Sequence, residues 1–67
     1  MRFLHLNGKE RNDLNASSVE ELVLELQLLA PTLLVEYNGL ALHRKEWSTT
    51  FLQSGDRIEL LHIVAGG

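Results

Sequence analysis

Two histidines, four carboxylates and two adjacent serines are the side chains whose types and spacing come nearest to chemistry. His5 and His62 fall on predicted strands that could pair. Alternation along those strands sends the two imidazoles to opposite faces, and two imidazoles without a third ligand make a poor metal site. Asp13, Glu20, Glu21 and Glu25 belong to an edge strand and to the solvated side of a helix near its positive end, where a stabilising role accounts for them. No general acid and base pair stands out among them. Ser17 and Ser18 read as helix caps rather than nucleophiles, and no Gly-rich loop is present to cradle a phosphate. The chain has no Cys, which excludes a disulfide framework, a thiolate zinc site and a catalytic thiol. The expectation is a protein with no catalytic residue, no metal and no bound cofactor.

What remains is the C-terminus, where Val64-Ala65-Gly66-Gly67 follows a predicted strand. Four residues extend about 13 Å at roughly 3.3 Å each, enough to carry the Gly67 carboxylate out of a domain and into another protein's cleft. Gly66 and Gly67 lack Cβ atoms, so such a tail is slim and takes whatever backbone angles a narrow channel imposes. A frayed terminus reads the same from these four residues alone. The division expected is a folded domain over 1–63 and an extended tail over 64–67.

The elements that must position this tail fit into one small domain. Sixty-seven residues, 45% hydrophobic and 22% charged, have the composition of an ordinary globular chain with a single thin core. The formal charge of −3 and six scattered basic residues argue against a nucleic-acid surface. The run from Met1 to Asn7 is too short for a signal peptide, so a cytoplasmic protein is expected. The apolar-rich stretch 19–35 is interrupted by Glu20, Glu21, Glu25 and Gln27 and broken by Pro31, so no membrane role is indicated.

Arg2 to Leu6 reads as a strand, Asn7-Gly8 as a two-residue hairpin turn and Lys9 to Leu14 as a polar returning edge strand. Ser18-Val19-Glu20-Glu21 has the spacing of a capping box. The helix it opens carries Val19, Leu22, Val23, Leu26 and Leu29 as one apolar stripe, with Leu24 and Leu28 on the other side, and ends at Pro31. Thr32 to Tyr37, an Asn38-Gly39 turn and Leu40 to Leu42 form a second hairpin. Arg44 to Trp47 is a single helical turn whose Trp plugs the core. After a tight turn at Ser54-Gly55-Asp56, a last strand runs from Arg57 to Val64. Strand, strand, helix, strand, short strand, strand is an α+β order, a β-grasp with one main helix across a mixed sheet of four to five strands. Alternation assigns Leu4, Leu6, Ile58 and Leu60 to the helix-packed face and leaves Phe3, His5, Leu61 and Ile63 on the other. Those four would form an apolar patch beside the emerging tail and a docking surface, although scattered exposed apolar residues are also normal.

Val35-Glu36-Tyr37-Asn38-Gly39, Arg44-Lys45-Glu46-Trp47, Gly55-Asp56-Arg57-Ile58-Glu59-Leu60 and Val64-Ala65-Gly66-Gly67 together resemble the ThiS family, the ubiquitin-like β-grasp sulfur carriers of bacterial thiamin biosynthesis. The resemblance covers almost the whole chain, loosely over the first hairpin. His43 stands where the family usually has Pro, which puts the local turn in question. The resemblance implies that a ThiF-like adenylyltransferase spends ATP to convert the Gly67 carboxylate to an acyl adenylate. A sulfur donor protein then supplies sulfur, AMP leaves and a thiocarboxylate results. It further implies that the tail enters thiazole synthase (ThiG), where the sulfur joins the thiazole ring, with Gly66 giving access. A carrier for molybdopterin or another product shares the mechanism and differs in its acceptor. A β-grasp interaction module would use the outer patch alone, and a modifier joined to lysines would give adducts of higher mass.

Overall fold

The computed structural model describes residues 2–63. Five strands, β1 (Leu4–Leu6), β2 (Lys9–Arg11), β3 (Leu33–Tyr37), β4 (Leu40–Leu42) and β5 (Arg57–His62), form one sheet in the order β2-β1-β5-β3-β4. The β1–β5 pair is parallel and the others are antiparallel. One helix, α1 (Val19–Glu25), packs across one face, which is the β-grasp arrangement.

Both hairpins turn where the Asn-Gly pairs stand. Asn7 and Gly8 have φ of 50° and 82°, and Asn38 and Gly39 have 51° and 86°, the double positive φ that a twisted two-residue hairpin requires. Strand β2 stops at Arg11 rather than Leu14 because its partner runs out: Leu4, the first residue of β1, lies opposite Arg11. Arg11 then turns to hold Asp13 through two hydrogen bonds of 2.8 Å.

Helix α1 begins at the predicted cap, where Ser18 Oγ accepts from the Glu21 N–H at 3.1 Å. The return half of the box is displaced by one residue, since the Glu21 carboxylate accepts from Ser17 N–H at 2.8 Å. The helix ends earlier than Pro31. Gln27 takes a left-handed φ of 58°, the Leu28 N–H reaches Val23 C=O and the Gln27 N–H reaches Leu24 C=O, both at 3.1 Å. That is a Schellman closure built on a residue other than Gly. The early stop swings Leu29 off the predicted stripe, leaving it 71% exposed. Leu28 returns to pack against the core while Leu24 stays exposed. Pro31 instead enters a short 3-10 turn over Ala30–Thr32.

Leu4, Val19, Leu22 and Ile58 are the most completely buried side chains, joining the sheet to the helix. Burying each contributes about 1.5–3 kcal/mol. Trp47 closes one end of this core from the 3-10 segment Arg44–Thr49, with the Arg44 guanidinium 5.3 Å from the ring centroid. The turn forms with His43 in place of proline. Its backbone N–H donates to Glu46 Oε1 at 2.9 Å, a bond that proline cannot make. No helix among the described residues is long and apolar enough to cross a membrane.

Candidate functional site

Strand β5 leads toward the tail and is held from both sides. It is central, flanked by β1 and β3, and both turn asparagines grip its backbone with their side chains. Asn7 accepts from Leu60 N–H at 2.7 Å and donates to Leu60 C=O at 3.3 Å. Asn38 Oδ1 accepts from Arg57 N–H at 2.8 Å. At the far end the Ile63 N–H donates to Thr32 C=O at 2.7 Å. The sequence marks these asparagines as turn formers. Their amides add to the backbone bonds of the same residues, the Asn7 N–H to Ile58 C=O at 2.9 Å and the Asn38 N–H to Arg57 C=O at 2.7 Å.

A second anchor lies at the start of β5. The Asp56 carboxylate, nearly buried, accepts from Tyr37 Oη at 2.5 Å, from Gln53 N–H at 2.8 Å and from Asn38 Nδ2 at 3.2 Å. This node ties β3, its turn and the loop before β5 together. Burial, with the hydrogen bond and the charge of Asp56, pushes the Tyr37 hydroxyl up to about 12, because an ionised phenolate would be both desolvated and repelled. Tyr37 is the chain's only tyrosine, so absorbance titration reports on it alone. The native protein should form tyrosinate with a midpoint about two pH units above the ordinary value near 10. The corresponding stabilisation is fully present below pH of about 10 and is lost as pH rises through the folded value. A native midpoint near 10 would contradict the node.

Residues 64–67, and with them the predicted roles of Val64, Ala65, Gly66 and Gly67, lie outside the described residues. The four predicted docking residues are described, and the sheet register divides them between two places. His5 lies opposite Arg57 at the start of β5, and the Gly55 N–H bonds the carbonyl of Phe3. The Phe3 and His5 rings meet edge to face with centroids 5.6 Å apart. Leu61 and Ile63 are at the other end of β5; Leu61 alone is four residues beyond Arg57, about 13 Å along a strand. The single patch expected from alternation is therefore two. His62 is likewise remote from His5, and its Nδ1 lies 3.4 Å from Thr32 Oγ1. Among the described residues no group of three His, Cys, Asp or Glu side chains stands close enough to hold a metal ion.

Around Leu61 the outer face carries residues that sequence reasoning passed over. Leu34 lies opposite Leu61, and Glu36 lies opposite Glu59. Leu34, Leu61 and Ile63 are half or more exposed, at 51%, 64% and 50%. Leu34 and Leu61 line a largely apolar groove of about 660 Å³, floored by β3, β4 and β5 and bounded by Asn7 and His43. The alternation Leu33, Val35, Tyr37 inward and Leu34, Glu36 outward was the available signal.

The ThiS family model matches residues 4–67. Over 97% of this chain and 99% of the other, the fold superposes with a TM-score of 0.81 and 35% identity on the crystal structure of a thiamine biosynthesis protein (ThiS) from Geobacter metallireducens. A solution structure of a thiamine biosynthesis protein from the same organism gives a TM-score of 0.77 at 34% identity, over 97% of this chain and 87% of that one. An uncharacterized protein of Trieres chinensis is 29% identical over 92% of this chain and 85% of its own length. A thiazole synthase of Magnetococcus marinus is 31% identical over 96% of this chain, the match spanning 20% of that longer protein.

Proposed function

This chain belongs to the ThiS family, and on that premise we propose that it is a sulfur carrier of thiamin biosynthesis whose working group is the Gly67 carboxylate. A carboxylate is a poor electrophile. On a ThiF-like adenylyltransferase, a Gly67 oxygen attacks the α-phosphorus of ATP, pyrophosphate leaves and a mixed anhydride with AMP forms. Hydrosulfide supplied by a donor protein then attacks the carbonyl carbon, the bond from that carbon to the AMP oxygen breaks and AMP departs. The resulting thiocarboxylate is a soft nucleophile that delivers sulfur to thiazole synthase. The chain presents the reacting atom and takes no catalytic part. ATP is bound by the partner, and no cofactor resides here.

The observation that carries this reading is the family match over residues 4–67, a span that includes Gly66 and Gly67. The geometry is consistent with the role, since a carrier needs its tail root fixed, and Ile63 is held to Thr32 behind a strand gripped by two asparagines. Thiazole synthase is favoured as acceptor over molybdopterin synthase because a segment like this chain occurs within a thiazole synthase. The acceptor is tested by offering the thiocarboxylate form to both enzymes. Thiazole synthase should consume it, and turnover by molybdopterin synthase alone would overturn this choice of pathway.

A further inference from the structure

Glu36 and Glu59 are directly opposed across β3 and β5, and both are exposed. Like charges in that position destabilise a sheet. Neither forms an ion pair among the described residues. The one ion pair among the described residues is Arg11 with Asp13, beyond the opposite edge strand, and Arg57, two positions earlier on β5, pairs with neither glutamate. Ala41 lies opposite Glu36 on the β4 side, and the Asn7 amide on the β1 side is engaged with Leu60. Immediately beside the acidic pair runs the apolar row of Leu34, Leu61 and Ile63.

We infer that Glu36 and Glu59 are specificity-determining residues that dock thiazole synthase through an arginine or lysine of that enzyme, seated next to an apolar side chain that fills the groove at Leu34 and Leu61. The inference rests on the carrier reading above. Two arguments support this occupant. The first is charge complementarity: an uncompensated pair of carboxylates flanked by exposed leucines is completed by one cation and one apolar group, and a guanidinium can bond two carboxylates at once. The second is reach. Glu59 and Leu61 follow one another on this face of β5, Ile63 comes just after the strand, and four further residues can reach at most about 13 Å. An enzyme that takes Gly67 into its cleft must therefore have its walls against this end of the sheet. The strain the pair imposes on the free carrier is released when the cation arrives, so the same residues that cost stability select the partner.

The test compares the full chain with its E36Q/E59Q variant in two measurements, affinity for purified thiazole synthase at low and high salt, and melting temperature. The variant should bind roughly tenfold more weakly or worse at low salt, lose most of the salt dependence that the parent shows, and melt at the same or a higher temperature. Unchanged affinity and salt dependence in the variant would overturn the inference and leave the carrier reading intact. A variant that melts lower than the parent would show the pair to be structural and would also overturn it. A parent chain that binds no thiazole synthase would sink the acceptor assignment itself, which separates that failure from this one.

Discussion

Deleting Gly67 is expected to abolish support of thiamin synthesis in cells that lack their own carrier, a complete loss rather than a partial one. The reason is geometric. In the proposed mechanism activation joins the terminal carboxylate to AMP within the adenylating site, and removing one residue would withdraw that carboxylate by about 3.3 Å. A displacement of 1 Å can cost a factor of about a hundred in reactions that depend on positioning, so a shift this large leaves only background. Because residue 67 follows the described domain and the core is centred on Leu4, Val19, Leu22 and Ile58, the truncated chain should keep the parent's melting temperature. Growth without added thiamin by cells carrying the truncated chain would contradict the carrier mechanism and favour a module that works through its sheet face.

The largest expected effect on stability comes from Asp56→Ala. The substitution removes the carboxylate that accepts from Tyr37, Asn38 and Gln53 in a nearly buried position. The Tyr37 hydroxyl keeps a weaker bond to the Phe51 carbonyl at 3.2 Å, whereas the Gln53 N–H loses its side-chain partner. Stranding partly buried donors costs about 1–3 kcal/mol each, and about 3 kcal/mol in total is a fair expectation here. A domain of this size has roughly 3–10 kcal/mol of stability altogether. Thermal unfolding should therefore shift down by roughly 10–20 °C, and the tyrosinate midpoint should fall toward the ordinary value in the same variant. An Asp56→Ala protein that melts with the parent would show the node to be decorative.

Much of the fold was legible in the sequence because its signals are local. Asn7-Gly8 and Asn38-Gly39 require positive φ, Ser18 caps the helix three residues before Glu21, and Trp47 is a large apolar side chain in an otherwise polar turn. Each of these can be read within four residues, and each stands where expected. The misses have a different origin. Gln27 ends the helix in a conformation usually given to Gly, so nothing in its type marked it, and Leu29 was carried along on a stripe that had already stopped. Alternation placed Phe3, His5, Leu61 and Ile63 on one face, but it carries no information about offset along the sheet. The register that sets His5 against Arg57 divides them. The Asp56 node draws its donors from positions 37, 38 and 53, and the Asn7 amide reaches Leu60, contacts that only the folded chain brings together. The candidate site followed the same rule: a Gly-Gly pair is readable as a motif, while the groove at Leu34 and Leu61 depends on which strands are neighbours.

The most direct test of the carrier claim is the intact mass of the full chain after incubation with ATP, a ThiF-like adenylyltransferase and a sulfur source. The mass should increase by the exchange of one oxygen for sulfur, and only when ATP is present. An unchanged mass, with an adenylyltransferase shown to be active on another carrier of this family, would contradict the claim.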